Sequence, residues 1–210
     1  MNKELISTIS IIRFILNNTE RRWVDNLQIL IKTTYNKGDI FTLKDIYEKF
    51  ECIVFHMTDL PFGRGGSPLQ NLISRGIYQT KISALKVNKG IDTGDIYIKK
   101  NLDLSGSATE IFRRGNLIIM EMIISILENK NKPTPQKGKV TIFKRRTPKE
   151  SNIIELETLQ KVYDYIRMLD ADGYPKAYLE NKFLKFEFND ATFNHENEIT
   201  ATVKIKMKSE

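Results

Sequence analysis

At 210 residues the chain can bury a substantial core, and its length suits one domain or one domain with a small appendage. With 40% hydrophobic and 28% charged residues it is neither disordered nor fibrous, and its one cysteine, Cys52, excludes an intrachain disulfide and suits a reducing compartment. The net charge of +7, from 33 Lys+Arg against 26 Asp+Glu, comes from scattered lysines without a basic stripe of interleaved aromatics, so it reads as a solvated face rather than a nucleic-acid footprint.

The first fifty residues carry the weakest patterns. Leu5 to Leu16 is an apolar run broken by Ser7, Thr8, Ser10 and Arg13; it is too short and polar to span a membrane and is followed by no small-residue cleavage site, so a cytoplasmic protein is expected. Trp23 to Lys32 has helical spacing, and Leu43 to Phe50 predicts a helix with Thr42 as N-cap. No glycine-rich dinucleotide or phosphate-loop fingerprint is present.

Cys52-Ile53-Val54-Phe55 is a short apolar run that predicts a buried strand, with Cys52 as a small core residue. His56, one of two histidines, follows directly and so sits at the strand's carboxyl end, where open α/β sheets place their ligands. Then comes a loop stiffened by Pro61 and Pro68 around Arg64-Gly65-Gly66, whose glycines permit positive φ and close backbone approach. Arg64 either holds this loop through hydrogen bonds or meets substrate anions. Pro68 opens a short helix carrying Leu69, Leu72 and Ile73, with Gln70 and Asn71 able to contact an acceptor.

Ile82 to Val87 and Asp95 to Lys99 read as strands, and Thr109 to Leu127 as a long amphipathic helix, so strands and helices alternate in an α/β layer fold. Between the strands, Ile91-Asp92-Thr93-Gly94-Asp95 is also an ordinary turn sequence, with Asp95 either a turn former or a support behind the site. No third carboxylate or nearby histidine joins Asp92 and Asp95, so no metal site is expected. Asn129 to Lys137, rich in Lys, Asn and Pro, predicts an exposed linker. Val140 to Phe143 is a strand candidate, Ile154 to Leu169 a helix and Asp172 to Pro175 a turn. Strands over Ala177–Leu179, Phe183–Phe188 and Ile199–Met207 then form a small antiparallel unit; compact barrels of this kind often bind nucleic acid, but packing on the preceding domain or dimerisation is the preferred expectation. His195, in a polar run, has no assigned role.

The spacing of His56, Thr58, Pro61, Arg64, Gly65, Pro68, Gly76, Thr80, Asp92, Gly94 and Asp95 resembles the catalytic domain of the formyltransferases that use N10-formyltetrahydrofolate. The resemblance covers Phe50 to Arg114 and, more weakly, Thr147 to Ala177, where Ile166 to Pro175 is similar to the segment opening the family's appended domain. It implies a Rossmann-like sheet domain over 1–128 with a shortened or diverged N-terminal half, a linker over 129–150, and a small, mainly β, α+β domain over 151–210. It also implies His56 as proton shuttle paired with Asp92. Arg64, Gly65, Ile91, Asp92 and Gly94 would lie around the N10-formyltetrahydrofolate donor, and Thr58, Gln70 and Asn71 near the acceptor, with no metal.

Val54 stands where the family pattern has asparagine. Either the rate is lowered, or Thr58, Asn71 or a backbone N–H supplies the donor that valine lacks. The acceptor implied is the amino group of a nucleotide-linked amino sugar, as in surface-polysaccharide synthesis. Formylation of methionyl-tRNA is placed second because the fuller C-terminal domain and basic insertion of those enzymes are not found. A non-catalytic folate- or sugar-nucleotide-binding relative is the third reading.

Overall fold

The computed structural model describes residues 52–208. The elements expected over Leu5 to Phe50 lie outside the described residues.

Strand β1 (Ile53–His56) opens the described chain, followed by the two-residue β2 (Arg64–Gly65) and helix α1 (Pro68–Ile73). Strands β3 (Gln79–Lys86) and β4 (Ile96–Asp103) lead into the long helix α2 (Ala108–Asn129). After β5 (Ile142–Phe143) and a 3-10 turn at Pro148–Ser151 come α3 (Leu159–Arg167), β6 (Ala177–Glu180), β7 (Leu184–Phe193) and β8 (Ile199–Met207). The α/β expectation holds. The β1-β3-β4 sheet is antiparallel throughout, because the turn over 87–95 folds β4 directly back on β3. Strand β2 pairs β5 in parallel, and β6-β7-β8 form the antiparallel C-terminal sheet.

The pattern over Ile82 to Val87 reads as alternating, yet Ile82, Ser83, Ala84 and Leu85 are all buried, and Ser83 is accommodated because its hydroxyl donates to Thr58 O. Ile82 and Ala84 join the main core with Ile111 and Met122 of α2 and Leu69, Leu72 and Ile73 of α1. Leu85 turns the other way, into a second cluster with Leu60, Ile96 and Val54. Helix α2 starts with a capping box: Ser107 Oγ accepts from the Glu110 N–H and Glu110 accepts from the Ser107 N–H, which holds the Glu110 carboxyl below its usual value.

Gly115, buried midway along α2, approaches the sheet so closely that an added Cβ would lie 3.7 Å from Ile82 Cδ1 and 3.8 Å from Met57 Cε, ordinary van der Waals contact. Gly115→Ala is therefore expected to stabilise the protein by about 0.5–1 kcal/mol, since alanine restricts the unfolded chain and suits a helix interior. An unchanged or lower denaturant midpoint would contradict this.

The helix expected from Ile154 begins only at Leu159. Asn152 Oδ1 captures the Ile154 N–H in a turn, and Thr158 caps the helix by accepting from the Lys161 N–H. Cys52, expected inside a buried strand, precedes β1 and is partly exposed; its partial burial pushes the thiol up.

Candidate active site

The loop after β1 is shaped by the segment around β5. Pro61 O accepts from the Thr141 N–H, Thr141 O accepts from the N–H groups of Gly63 and Arg64, and Phe143 O accepts from Gly66 N–H. Phe143, 2% exposed, packs edge-on against Phe62 beneath the loop. At Gly65 (φ +103) a Cβ would strike the Phe143 carbonyl oxygen, so this close approach requires glycine.

The loop thus delivers two backbone groups to the site. Gly63 O accepts from His56 Nε2 at 2.7 Å, and Gly65 N–H donates to Asp92 Oδ2 at 2.8 Å. A carbonyl can only accept, so the Gly63 contact places a proton on Nε2 and directs Nδ1, 3.6 Å away, toward the same Asp92 oxygen. The two side chains are 10% and 15% exposed, sheltered but reachable. His56 and Asp92, the expected catalytic pair, are brought together.

Asp92 adopts φ +53, a left-handed conformation that aspartate tolerates better than most residues. The turn behind it is closed by the Lys86 N–H donating to Asp95 O, and a Cβ on Gly94 would fall on the Lys86 carbonyl oxygen. Ile91 is 76% exposed at the rim of this turn.

In Arg64, Nε and Nη2 both donate to Gln136 Oε1, at 3.1 and 2.8 Å. Gln70 and Asn71, expected near an acceptor, point inward instead. Gln70 Nε2 donates to Met168 O, and Asn71 Nδ2 lies within hydrogen-bond distance of the carbonyls of Gly66, Ser67 and Lys144. The six-residue α1 is buried along nearly its whole length, which leaves these amides no outward face. Thr58 is fully buried and its hydroxyl donates to Gly63 O at 3.3 Å. Thr58 and Asn71, two candidates to replace the donor missing at Val54, are therefore already engaged.

The sequence reading missed Gln136, Thr141 and Phe143. The segment that carries them reads as linker by composition, and its one usable signal was the strand candidate at Val140 to Phe143. A mixed-polarity cleft of about 320 Å³, lined by Asp59, Phe62, Thr80, Lys81 and Asn101 among others, lies on the other side of the β1 loop. Partial burial would raise the Asp59 carboxyl, but hydrogen bonds from Lys99 and Lys81 outweigh it and leave the group below its usual value. Among the described residues no group of three His, Cys, Asp or Glu is arranged to hold a metal, and no helix is long and apolar enough to cross a membrane.

The family model described as methionyl-tRNA formyltransferase, C-terminal domain, matches residues 148–206. The solved structure of methionyl-tRNA formyltransferase from Clostridium thermocellum is 40% identical, with a TM-score of 0.79 over 99% of this chain and 96% of that one. A curated methionyl-tRNA formyltransferase of Rickettsia massiliae is 31% identical over 148 residues, which are 68% of this chain and 46% of the relative. The chain thus spans about half the length of the curated relatives it matches. HypX from Aquifex aeolicus, solved in complex with tetrahydrofolic acid, shares the fold at 16% identity and a TM-score of 0.60, covering 73% of this chain and 28% of that one.

These findings overturn the expected acceptor. The sequence alone favours a nucleotide-linked amino sugar over tRNA, since it shows neither a basic insertion nor a fuller C-terminal domain. The relatives at 40% and 31% identity are methionyl-tRNA formyltransferases, and the C-terminal segment matches the C-terminal domain of that family.

Proposed function

Since the chain belongs to the formyltransferases, enzymes that transfer a one-carbon unit, we propose that it formylates the amino group of methionyl-tRNA with N10-formyltetrahydrofolate as donor. The observation that carries this reading is the His56–Asp92 pair, held by two backbone groups of one loop. The donor, when bound, supplies a formamide-like carbon for the amine to attack. This set of residues fits such a reaction, which needs one proton acceptor beside one fixed negative charge.

With Nε2–H donating to Gly63 O, Nδ1 is the ring nitrogen that receives the proton shed by the attacking amine. Asp92 Oδ2 at 3.6 Å faces that proton and stabilises the resulting cation. The ring then returns the proton to the leaving nitrogen. Gly63 and Gly65 hold both groups still, so little reorganisation accompanies the transfer.

Charge near the loop supports a tRNA acceptor. Strand β5 pairs with β2 and runs straight into Lys144-Arg145-Arg146, with Lys149 close behind, so a basic segment borders Arg64 and Gly65. A cytoplasmic setting is in keeping with a single thiol. Incubation with N10-formyltetrahydrofolate and methionyl-tRNA, followed by mass spectrometry of the released aminoacyl group, should show formylmethionine. Unmodified methionine after prolonged incubation would contradict the proposal.

A further inference from the structure

We propose that Gln136 is a positioning residue for this reaction and acts through Asp92; the inference rests on the formyl-transfer reading above. Its carboxamide joins three stretches of chain. Nε2 donates to Asp92 O and to Gly94 O, both at 2.8 Å, while Oε1 accepts from Nε and Nη2 of Arg64. Both amide hydrogens and both oxygen lone pairs are used, so the group has one orientation and cannot flip without losing all four contacts.

Gln136 itself is held in place. Thr134, two residues earlier, exchanges backbone hydrogen bonds with Ile96 at 2.8 and 2.9 Å, which ties the segment to the first residue of β4. Pro133 and Pro135 flank that pairing and limit local backbone freedom.

Asp92 depends on this support. It is a non-glycine residue at φ +53, and its carboxylate must face His56 Nδ1 while accepting from Gly65 N–H. Gln136 holds the carbonyl of that residue, and Arg64, next to Gly65, grips the other end of the amide. The amide therefore couples the loop that positions the histidine to the turn that positions the aspartate, without touching either reacting side chain.

The test combines kinetics with the ring signals of His56. Gln136→Ala should lower kcat about 10- to 100-fold, as a small displacement of a catalytic group does, with KM for both substrates nearly unchanged. Gln136→Glu should behave alike, because it can accept from Arg64 but cannot donate to the two carbonyls; it serves if the alanine variant fails to fold. In an Asp92→Asn background, Gln136→Ala should change kcat by less than about threefold, since both changes act on one unit. With His195→Gln leaving one imidazole, the 15N ring shifts of His56 should move in Gln136→Ala in the same direction as in Asp92→Asn. Wild-type turnover in Gln136→Glu, an undiminished loss in the Asp92→Asn background, or unmoved ring shifts would overturn the assignment. If the wild-type protein transfers no formyl group, the formyl-transfer reading falls while the ring shifts still decide whether Gln136 positions Asp92.

Discussion

His56→Ala lowers the rate of formyl transfer by about 100- to 10,000-fold near neutral pH, the range that a positioned general acid–base group contributes. Alanine removes the only side chain that carries a ring nitrogen into contact with both Gly63 O and Asp92. The fold should survive, because the loop remains tied to Thr141 and Phe143 by backbone hydrogen bonds that do not involve the histidine. Asp92→Ala lowers the rate at least about 100-fold for a different reason, loss of the charge facing Nδ1 and of the acceptor for Gly65 N–H. The double variant should be little worse than the poorer single one, since the residues act as a unit. Single-turnover rates with unchanged circular dichroism establish this, and near wild-type turnover in either variant would rule out the proton path.

Asp164→Ala destabilises the folded protein by about 3–5 kcal/mol, the cost of leaving one member of a buried ion pair without its partner. Asp164 is 3% and Arg167 5% exposed; Oδ1 accepts from Arg167 Nε at 2.7 Å, and Oδ2 accepts from the Tyr78 hydroxyl at 2.6 Å and from Gln160 at 3.1 Å. Arg167 Nη1 also donates to the carbonyls of Leu104 and Gly106, so the network ties α3 to the open end of the β3–β4 hairpin, just before β3 and just after β4. By contrast Lys100–Glu121, 38% and 64% exposed, is a surface pair, and Glu121→Ala should cost under about 1 kcal/mol. Denaturant unfolding compares the two, and equal small losses would show that burial does not govern these pairs. Partial burial, then the neighbouring Asp164, raises the Tyr78 hydroxyl above its usual value. A raised folded value favours the protonated form, so this contribution is complete below about pH 10 and declines as pH rises through the raised value.

The sequence makes His56 and Asp92 legible because their chemistry is confined to a few residue types held by glycines and prolines. Strand β3 is legible from Ile82, Ala84 and Leu85, and α2 from its apolar stripe, because burial dictates both. The segment over 130–147 is not, since its backbone contributes most of the contacts: Thr134 with Ile96, and Thr141 with Gly63 and Arg64. Any polar sequence with the right backbone would read the same way there. Gln70 and Asn71 misled because amides beside a proline turn resemble a polar rim, whereas packing against Met168 and Lys144 draws them inward. Composition likewise spread the lysines and arginines over the whole chain, and only the pairing of β5 with β2 brings Lys144 to Arg146 beside the loop.

If the His56–Asp92 pair serves an amine carried on tRNA, competition between acceptors reveals it. Methionyl-tRNA and a nucleotide-linked amino sugar are supplied together with limiting formyl donor, and kcat/KM for each is followed as salt is raised. Formyl transfer to methionyl-tRNA is expected in large excess, with a rate that falls steeply with salt as phosphate contacts are lost. A salt-independent rate, with the formyl group appearing on the sugar, would contradict it.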